Sequence, residues 1–218
     1  MRRTAAMAAL LALAGTGVTA GIAAKPPKGG TLTLAATPTR ITFRKSTALT
    51  GVLSTQAAGV TVTAQAEPFP FTGPFKDAGT ATTTAGGAYT ITVSPDQLTR
   101  YQVTAATSPK ARSGTVDVAV HRRVTLTVST RTPKRGARVR FAGTVAPVDT
   151  GGSALVQRRG ASGWRTVRRV PLHPNATATA STYSVRLRVR TTARYRVRVA
   201  ADASHLTGTS RTLRLRVH

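Results

Sequence analysis

The segment Val185-Arg186-Leu187-Arg188-Val189-Arg190 alternates apolar and basic residues without a break, and it decides the fold. Arg194-Tyr195-Arg196-Val197-Arg198-Val199 and Leu213-Arg214-Leu215-Arg216-Val217 repeat the pattern. Successive side chains of a β-strand point to opposite faces. Each segment is therefore a strand with one apolar face for a core and one arginine face for water. Upstream, period-two runs rich in Val and Thr continue between Gly and Pro punctuation, the pattern of half-buried antiparallel strands. No helical period interrupts them after residue 30.

The chain also repeats itself. Leu49-Thr50-Gly51-Val52-Leu53 matches Phe141-Ala142-Gly143-Thr144-Val145, and Gln65 matches Gln157, at an offset of 92 residues. Tyr89 matches Tyr183, and Arg100-Tyr101-Gln102-Val103 matches Arg194-Tyr195-Arg196-Val197, at an offset of 94. A unit of about 95 residues with about seven short strands has the size of one immunoglobulin-like sandwich. The fold expected is all-β, two tandem antiparallel immunoglobulin-like β-sandwiches. The boundaries expected are 31–120 and 121–218, joined at His121-Arg122-Arg123 with almost no linker, so that the halves move little against each other. Strands are expected near 31–36, 46–54, 59–66, 79–84, 88–93, 100–106 and 114–120 in the first unit. In the second they are expected near 124–129, 137–145, 153–159, 164–170, 182–190, 194–201 and 211–217. Pro68-Phe69-Pro70-Phe71-Thr72-Gly73-Pro74-Phe75 breaks the pattern, because proline cannot donate to a central ladder. It reads as a loop or an edge excursion.

Val124-Thr125-Leu126-Thr127-Val128, Arg138-Val139-Arg140-Phe141-Ala142-Gly143-Thr144-Val145, Val156-Gln157-Arg158-Arg159, Gly163-Trp164-Arg165 and Thr192-Ala193-Arg194-Tyr195-Arg196-Val197 resemble bacterial immunoglobulin-like repeats. Such repeats occur in secreted and surface proteins of high-GC Gram-positive bacteria. The resemblance implies a spacer, adhesion module or enzyme appendage, and it implies no catalytic residues. Its motifs are core and turn positions, so it speaks to fold more than to activity.

The N-terminus carries the marks of a secretory signal peptide over 1–24. Arg2 and Arg3 precede an apolar run from Ala5 to Ala14 and then small residues, with cleavage after Ala20 or Ala24. Residues 25–30, Lys25-Pro26-Pro27-Lys28-Gly29-Gly30, form a short polar linker. The mature chain is expected to lack a transmembrane segment. The protein expected is secreted, extracellular or envelope-associated.

The chain has 218 residues, no cysteine, 32 Lys and Arg against 6 Asp and Glu, and a net charge of +26. The lack of cysteine excludes disulfides, thiolate metal sites and cysteine nucleophiles. Catalytic, cofactor and metal residues are all read as none. Asp202, Ser204 and His205 crowd one loop, but neighbours in one loop do not make the geometry of a nucleophile, base and acid. His121, His173, His205 and His218 have no ligand spacing. Asp149 lacks the companion acids that calcium needs. Trp164 reads as core or flank packing, with a sugar-stacking platform as the alternative. Tyr101 and Tyr195 open the sixth strand of each unit, the neighbourhood of a tyrosine corner, in which the hydroxyl bonds back to the backbone.

The charge is uneven. Residues 25–120 hold nine basic and four acidic residues; residues 121–218 hold 21 and two, and 20 of those 21 are arginine. Arginine suits phosphate, sulfate and carboxylate. If the last two strands pair, Arg194, Arg196, Arg198, Arg214 and Arg216 share an outer face, with Arg158 a candidate to join them. Arg186, Arg188 and Arg190 fall on the other sheet. Two readings stay open: polyanion-binding faces, or solvated faces rich in arginine through codon usage. The partners expected are an anionic cell-wall polymer or polysaccharide, or nucleic acid bound non-specifically. Whether there is a protein partner stays open.

Overall fold

The computed structural model describes residues 29–218; the expected signal peptide and most of the linker lie outside the described residues. The chain forms two β-sandwiches in tandem, of immunoglobulin-like type. In the first, β1 (Ala35–Thr37), β3 (Thr47–Val52) and β6 (Ala88–Val93) make one sheet in the order β1-β3-β6. The facing sheet runs β2 (Arg40–Thr42), β9 (Val116–His121), β7 (Thr99–Ala105), β4 (Thr61–Pro68) and β5 (Lys76–Thr82), with β8 (Ala111–Arg112) also on β7. Leu49, Val62, Val103, Val118 and Val120 are fully enclosed between the sheets.

The second sandwich repeats this plan. One sheet holds β10 (Arg123–Val124) and β11 (Thr127–Val128) on β12 (Arg138–Ala146), followed by β16 (Ser181–Arg188) and β15 (His173–Pro174). The other runs β14 (Gly163–Pro171), β13 (Ser153–Gly160) and β17 (Ala193–Val199), with β18 (Gly208–Thr209) and β19 (Leu213–Leu215) on β17. Its core contains Leu126, Val139, Phe141, Val156, Val197 and Leu215. Phe141 and Tyr195 meet across it with ring centroids 5.1 Å apart.

The proline-rich stretch is a loop over 69–75, between β4, which reaches Pro68 opposite Thr99, and β5, which begins at Lys76. Two details depart from expectation. The pair β2–β9 is parallel, Ile41 lying opposite Val120, so the sheets are not purely antiparallel. The tyrosines that bond back to the backbone are Tyr89 and Tyr183, not Tyr101 and Tyr195. Tyr89 Oη donates to the Thr33 carbonyl and Tyr183 Oη to the Thr125 carbonyl, each at 2.5 Å. Each phenol crosses the neighbouring strand over a glycine. A Cβ at Gly143 would overlap the Thr125 carbonyl and come within 2.6 Å of the Tyr183 hydroxyl, and Gly51 is placed alike beneath Tyr89. That close approach accounts for the glycine in both copies of the repeat. Burial pushes the Tyr89 phenol up to about 12 and raises that of Tyr183 further, so both remain donors at any neutral pH.

β9 ends at His121 and β10 starts at Arg123. The loop before β18 folds back over this step. Leu206 N–H donates to the Val120 carbonyl at 2.8 Å, Leu98 N–H to the Ser204 carbonyl at 2.8 Å, and Arg122 N–H to the Leu206 carbonyl at 3.2 Å. The two sandwiches are thereby stitched by backbone bonds on both sides of the step.

Candidate anion-binding faces

In the sheet built on β17, Tyr195, Val197 and Val199 are buried while Arg194, Arg196 and Arg198 turn outward. Arg194 lies directly opposite Arg214 on β19. Arg216 follows two residues on, exposed, and shares a shallow hollow with Arg214 and Arg131. The five arginines singled out in the sequence therefore do share one outer face.

Arg158 does not join them. It pairs with Tyr195, whose ring is in the core, so its side chain leaves on the inner side of the sheet, where Nη2 donates to Thr191 Oγ1 at 2.6 Å. Directly opposed residues in a ladder face the same way, and that settles the phase that two adjacent arginines left open. Its neighbours Arg159 and Gln157 take the outer side instead. Arg196 Nε donates to Gln157 Oε1 at 2.9 Å, and its guanidinium carbon sits 4.2 Å from the centre of the Trp164 ring, with that of Arg159 at 5.8 Å. Trp164 thus packs half-buried on the flank of the sheet rather than in the core. Partial burial, then the guanidinium groups of Arg198 and Arg159, hold Arg196 below the usual arginine pKa. Arg196 thus bears a burial cost first and the repulsion of two neighbouring guanidinium groups second.

The opposite sheet carries a second cluster. Arg138 is opposite Arg188, and Arg140 is opposite Arg186, all exposed. Arg186 and Arg188 fall on the sheet expected, whereas Arg190 lies beyond the end of β16. Arg138 and Arg140 escaped the sequence reading, although the alternation Arg138-Val139-Arg140-Phe141 signals both. Like charges directly opposite each other destabilise a sheet. Here two such pairs stand side by side, and among the described residues only Arg140 Nε is tied to a neighbour, Ser184 Oγ at 2.9 Å.

Neutralisation is spent elsewhere. Both acids of residues 121–218, Asp149 and Asp202, pair with one buried side chain, Arg122 at the junction. Burial works against ionisation of Asp202. The Ser204 and His205 N–H groups, the Arg122 guanidinium and the Ser204 hydroxyl outweigh it, and the carboxyl stays below its ordinary value. Among the described residues, no arginine of either face lies within ion-pair distance of a carboxylate.

In the loop Asp202, Ser204 and His205, the serine hydroxyl bridges Asp202 Oδ1 at 3.1 Å and His205 Nδ1 at 2.8 Å, and His205 Nε2 meets the Asp96 carbonyl at 3.1 Å. The histidine is oriented by a backbone carbonyl, and the acid is bound to the serine. This order cannot relay a proton from the serine through the histidine to the acid. The arrangement fastens the loop to the first sandwich. His121 Nδ1 is engaged by the Thr207 carbonyl at 2.8 Å.

No protein-family model and no curated protein matches the chain. Among solved structures, murine CEACAM1b is similar at 15% identity and a TM-score of 0.34, over 86% of this chain and 100% of that one. A tetra-tandem repeat from the extending region of a large adhesion protein is similar at 16% identity and a TM-score of 0.35, over 85% of this chain and 48% of that one. Red sea bream transglutaminase is similar at 13% identity and a TM-score of 0.39, over 88% of this chain and 30% of that one. The assignment of the sandwiches rests on the strand pairing above.

Proposed function

We propose that the protein is a secreted, non-enzymatic module that holds to anionic polymers of the cell envelope through the arginine faces of its second sandwich. The first sandwich acts as the spacer. One observation carries this reading: two sheet faces densely set with arginine, while both acids of the same sandwich are committed to Arg122. Facing like charges cost stability, and a bound polyanion removes that cost while releasing its own counterions. The two faces point in opposite directions, which suits capture between flexible polymer chains better than the reading of one rigid duplex. Each strand face offers donors without a helix or ribbon to enter a groove, so base-specific recognition is not part of the proposal.

The test replaces Arg194, Arg196, Arg198, Arg214 and Arg216 by glutamine in the secreted protein. Five lost phosphate contacts lower the slope of log affinity against log salt by about 4. Retention on isolated cell walls at physiological salt is expected to fall, and to disappear when Arg138, Arg140, Arg186 and Arg188 of the other face are replaced as well. Unchanged retention, or duplex DNA bound more tightly than wall polymer of matched charge density, overturns the proposal.

A further inference from the structure

The two sandwiches are copies of one plan, so each serves as a control for the other. In the first, the seam between the edge strand β5 and β6 is shut. Ile91 and Val93 on β6 are 3% and 5% exposed, and a Cβ at Gly79 on β5 would lie 3.1 Å from Ile91 Cγ2. In the second, the matching seam lies between β14 and β16, and it gapes. Val185 and Leu187 on β16 are only half-buried, and Val167 on β14 is 44% exposed. The cause is in the sequence. The register turns Arg165 and Arg168 of β14 toward the core side, opposite Arg158 and Val156. Guanidinium groups cannot be packed dry there without partners, so they swing out and the seam stays open. The opening is a groove of about 260 Å³ with Val167, Leu187 and Tyr195 as walls and Arg158, Arg188 and Arg190 at the rim. Past Arg158 and Val167 it continues into a second hollow of about 440 Å³ beside Arg165. The Tyr195 hydroxyl meets no partner among the described residues, unlike that of Tyr183.

β14 is also a nine-residue edge: among the described residues it pairs with β13 alone. Such an edge presents a row of unpaired N–H and C=O groups. We infer that this seam accepts a strand: an extended, acidic segment of a partner polypeptide pairs with the free edge of β14 and seats its alternate apolar side chains in the groove against Val167 and Leu187. Strand addition gives affinity through the backbone and specificity through alternate side chains. Acidity is required by the five arginines that line or flank the groove. The same arginines bar a second copy of β14, which would set guanidinium against guanidinium. Val167 and Leu187 supply the open wall, the Tyr195 ring is buried in the core at its base, and Trp164, the one tryptophan, lies on the other face of the sheet. The groove thus offers alkyl contacts to side chains and no open aromatic platform to a sugar ring. This inference differs from the polymer-binding proposal in using the edge of β14 and the seam rather than the outer faces; Arg188 alone is common to both.

The experiment titrates the secreted protein with short synthetic peptides of alternating glutamate and valine. An edge strand uses only every second N–H of its partner. Methylating the peptide nitrogens at alternate residues in one phase should therefore weaken binding at least about tenfold, while the other phase binds nearly as the parent. An alternating lysine and valine peptide should not bind. On addition of the parent peptide, the amides of residues 163–171 should gain protection from hydrogen exchange. The double variant Arg165→Glu, Arg168→Glu should lose the peptide while keeping its retention on wall polymer. Equal binding of both methylated phases overturns the inference, as does unchanged exchange in β14. So does displacement of the peptide by a sulfated oligosaccharide at equal charge concentration.

Discussion

Arg122 and its two acids should respond to mutation asymmetrically. The Arg122 side chain is 4% exposed, Asp149 16% and Asp202 45%. Without the arginine, both carboxylates keep donors. Asp149 Oδ1 accepts from Gly152 N–H at 2.8 Å and Gly151 N–H at 3.3 Å; Asp202 Oδ1 accepts from His205 N–H at 2.7 Å and Ser204 N–H at 2.9 Å. Without the acids, the guanidinium is sealed in with no counter-charge, and its Nε and Nη1 already lack partners among the described residues. Arg122→Met loses two charged contacts of about 1.5–3 kcal/mol each but removes two orphaned donors that cost about 1–3 kcal/mol each. The terms nearly cancel, and a net loss of about 1 kcal/mol is expected. Asp149→Asn with Asp202→Asn strands a buried charge, which costs about 3–5 kcal/mol. Urea is the denaturant to use, since guanidinium chloride would screen the charges under study. Trp164, the only tryptophan, reports the second sandwich. With a slope of about 2 kcal/mol per molar urea, the midpoint should fall about 0.5 M for Arg122→Met and about 2 M for the double variant. A midpoint for Arg122→Met as low as that of the double variant would refute the reasoning.

Gly143→Ala should destabilise the second sandwich by about 2–4 kcal/mol, combining overpacking with loss of the Tyr183 bond, while Gly143→Ala with Tyr183→Phe should recover little, because the Thr125 carbonyl remains in the way. Urea midpoints read by Trp164 fluorescence decide it. The pH profile of melting should fall at both ends. Asp202, depressed when folded, contributes stability that is full above about 3.9 and lost as pH drops through its lower folded value. Tyr89, raised to about 12, contributes stability that is full below about 10 and lost as pH rises toward 12. A melting temperature flat from pH 9 to about 12 would contradict the burial of the two phenols.

What could be read from the sequence was whatever a strand declares locally. Alternation placed β12, β13, β16 and β17 to within a few residues and put Arg194, Arg196 and Arg198 on one side of a sheet before any pairing was known. Features that depend on a second, distant strand were not legible. Arg158 and Arg159 are adjacent cations with no apolar neighbour to set their phase; only the ladder with Tyr195 assigns it. The back-bonding tyrosine is chosen by a glycine on the next strand, so Tyr183 rather than Tyr195 serves. β2 is three residues long and pairs with a strand 79 positions further on, which no local pattern announces. Arg122 looked like one basic residue among many, because its acids lie 27 and 80 positions away.

The parallel pair β2–β9 bears on how the chain carries tension. β2 lies near the start of the first sandwich and β9 leads out of it, aligned in the same sense over Arg40–Thr42 and Ala119–His121. Their bonds run across the direction of pull, so a load on the two ends strains all of these rungs at once instead of peeling them in turn. The second sandwich is built alike at its own end, where the N–H groups of Arg216 and His218 donate to the carbonyls of Arg131 and Pro133. With the sandwiches stitched directly to each other, a chain gripped by its second sandwich and pulled from its first would resist as a short series of shear clamps.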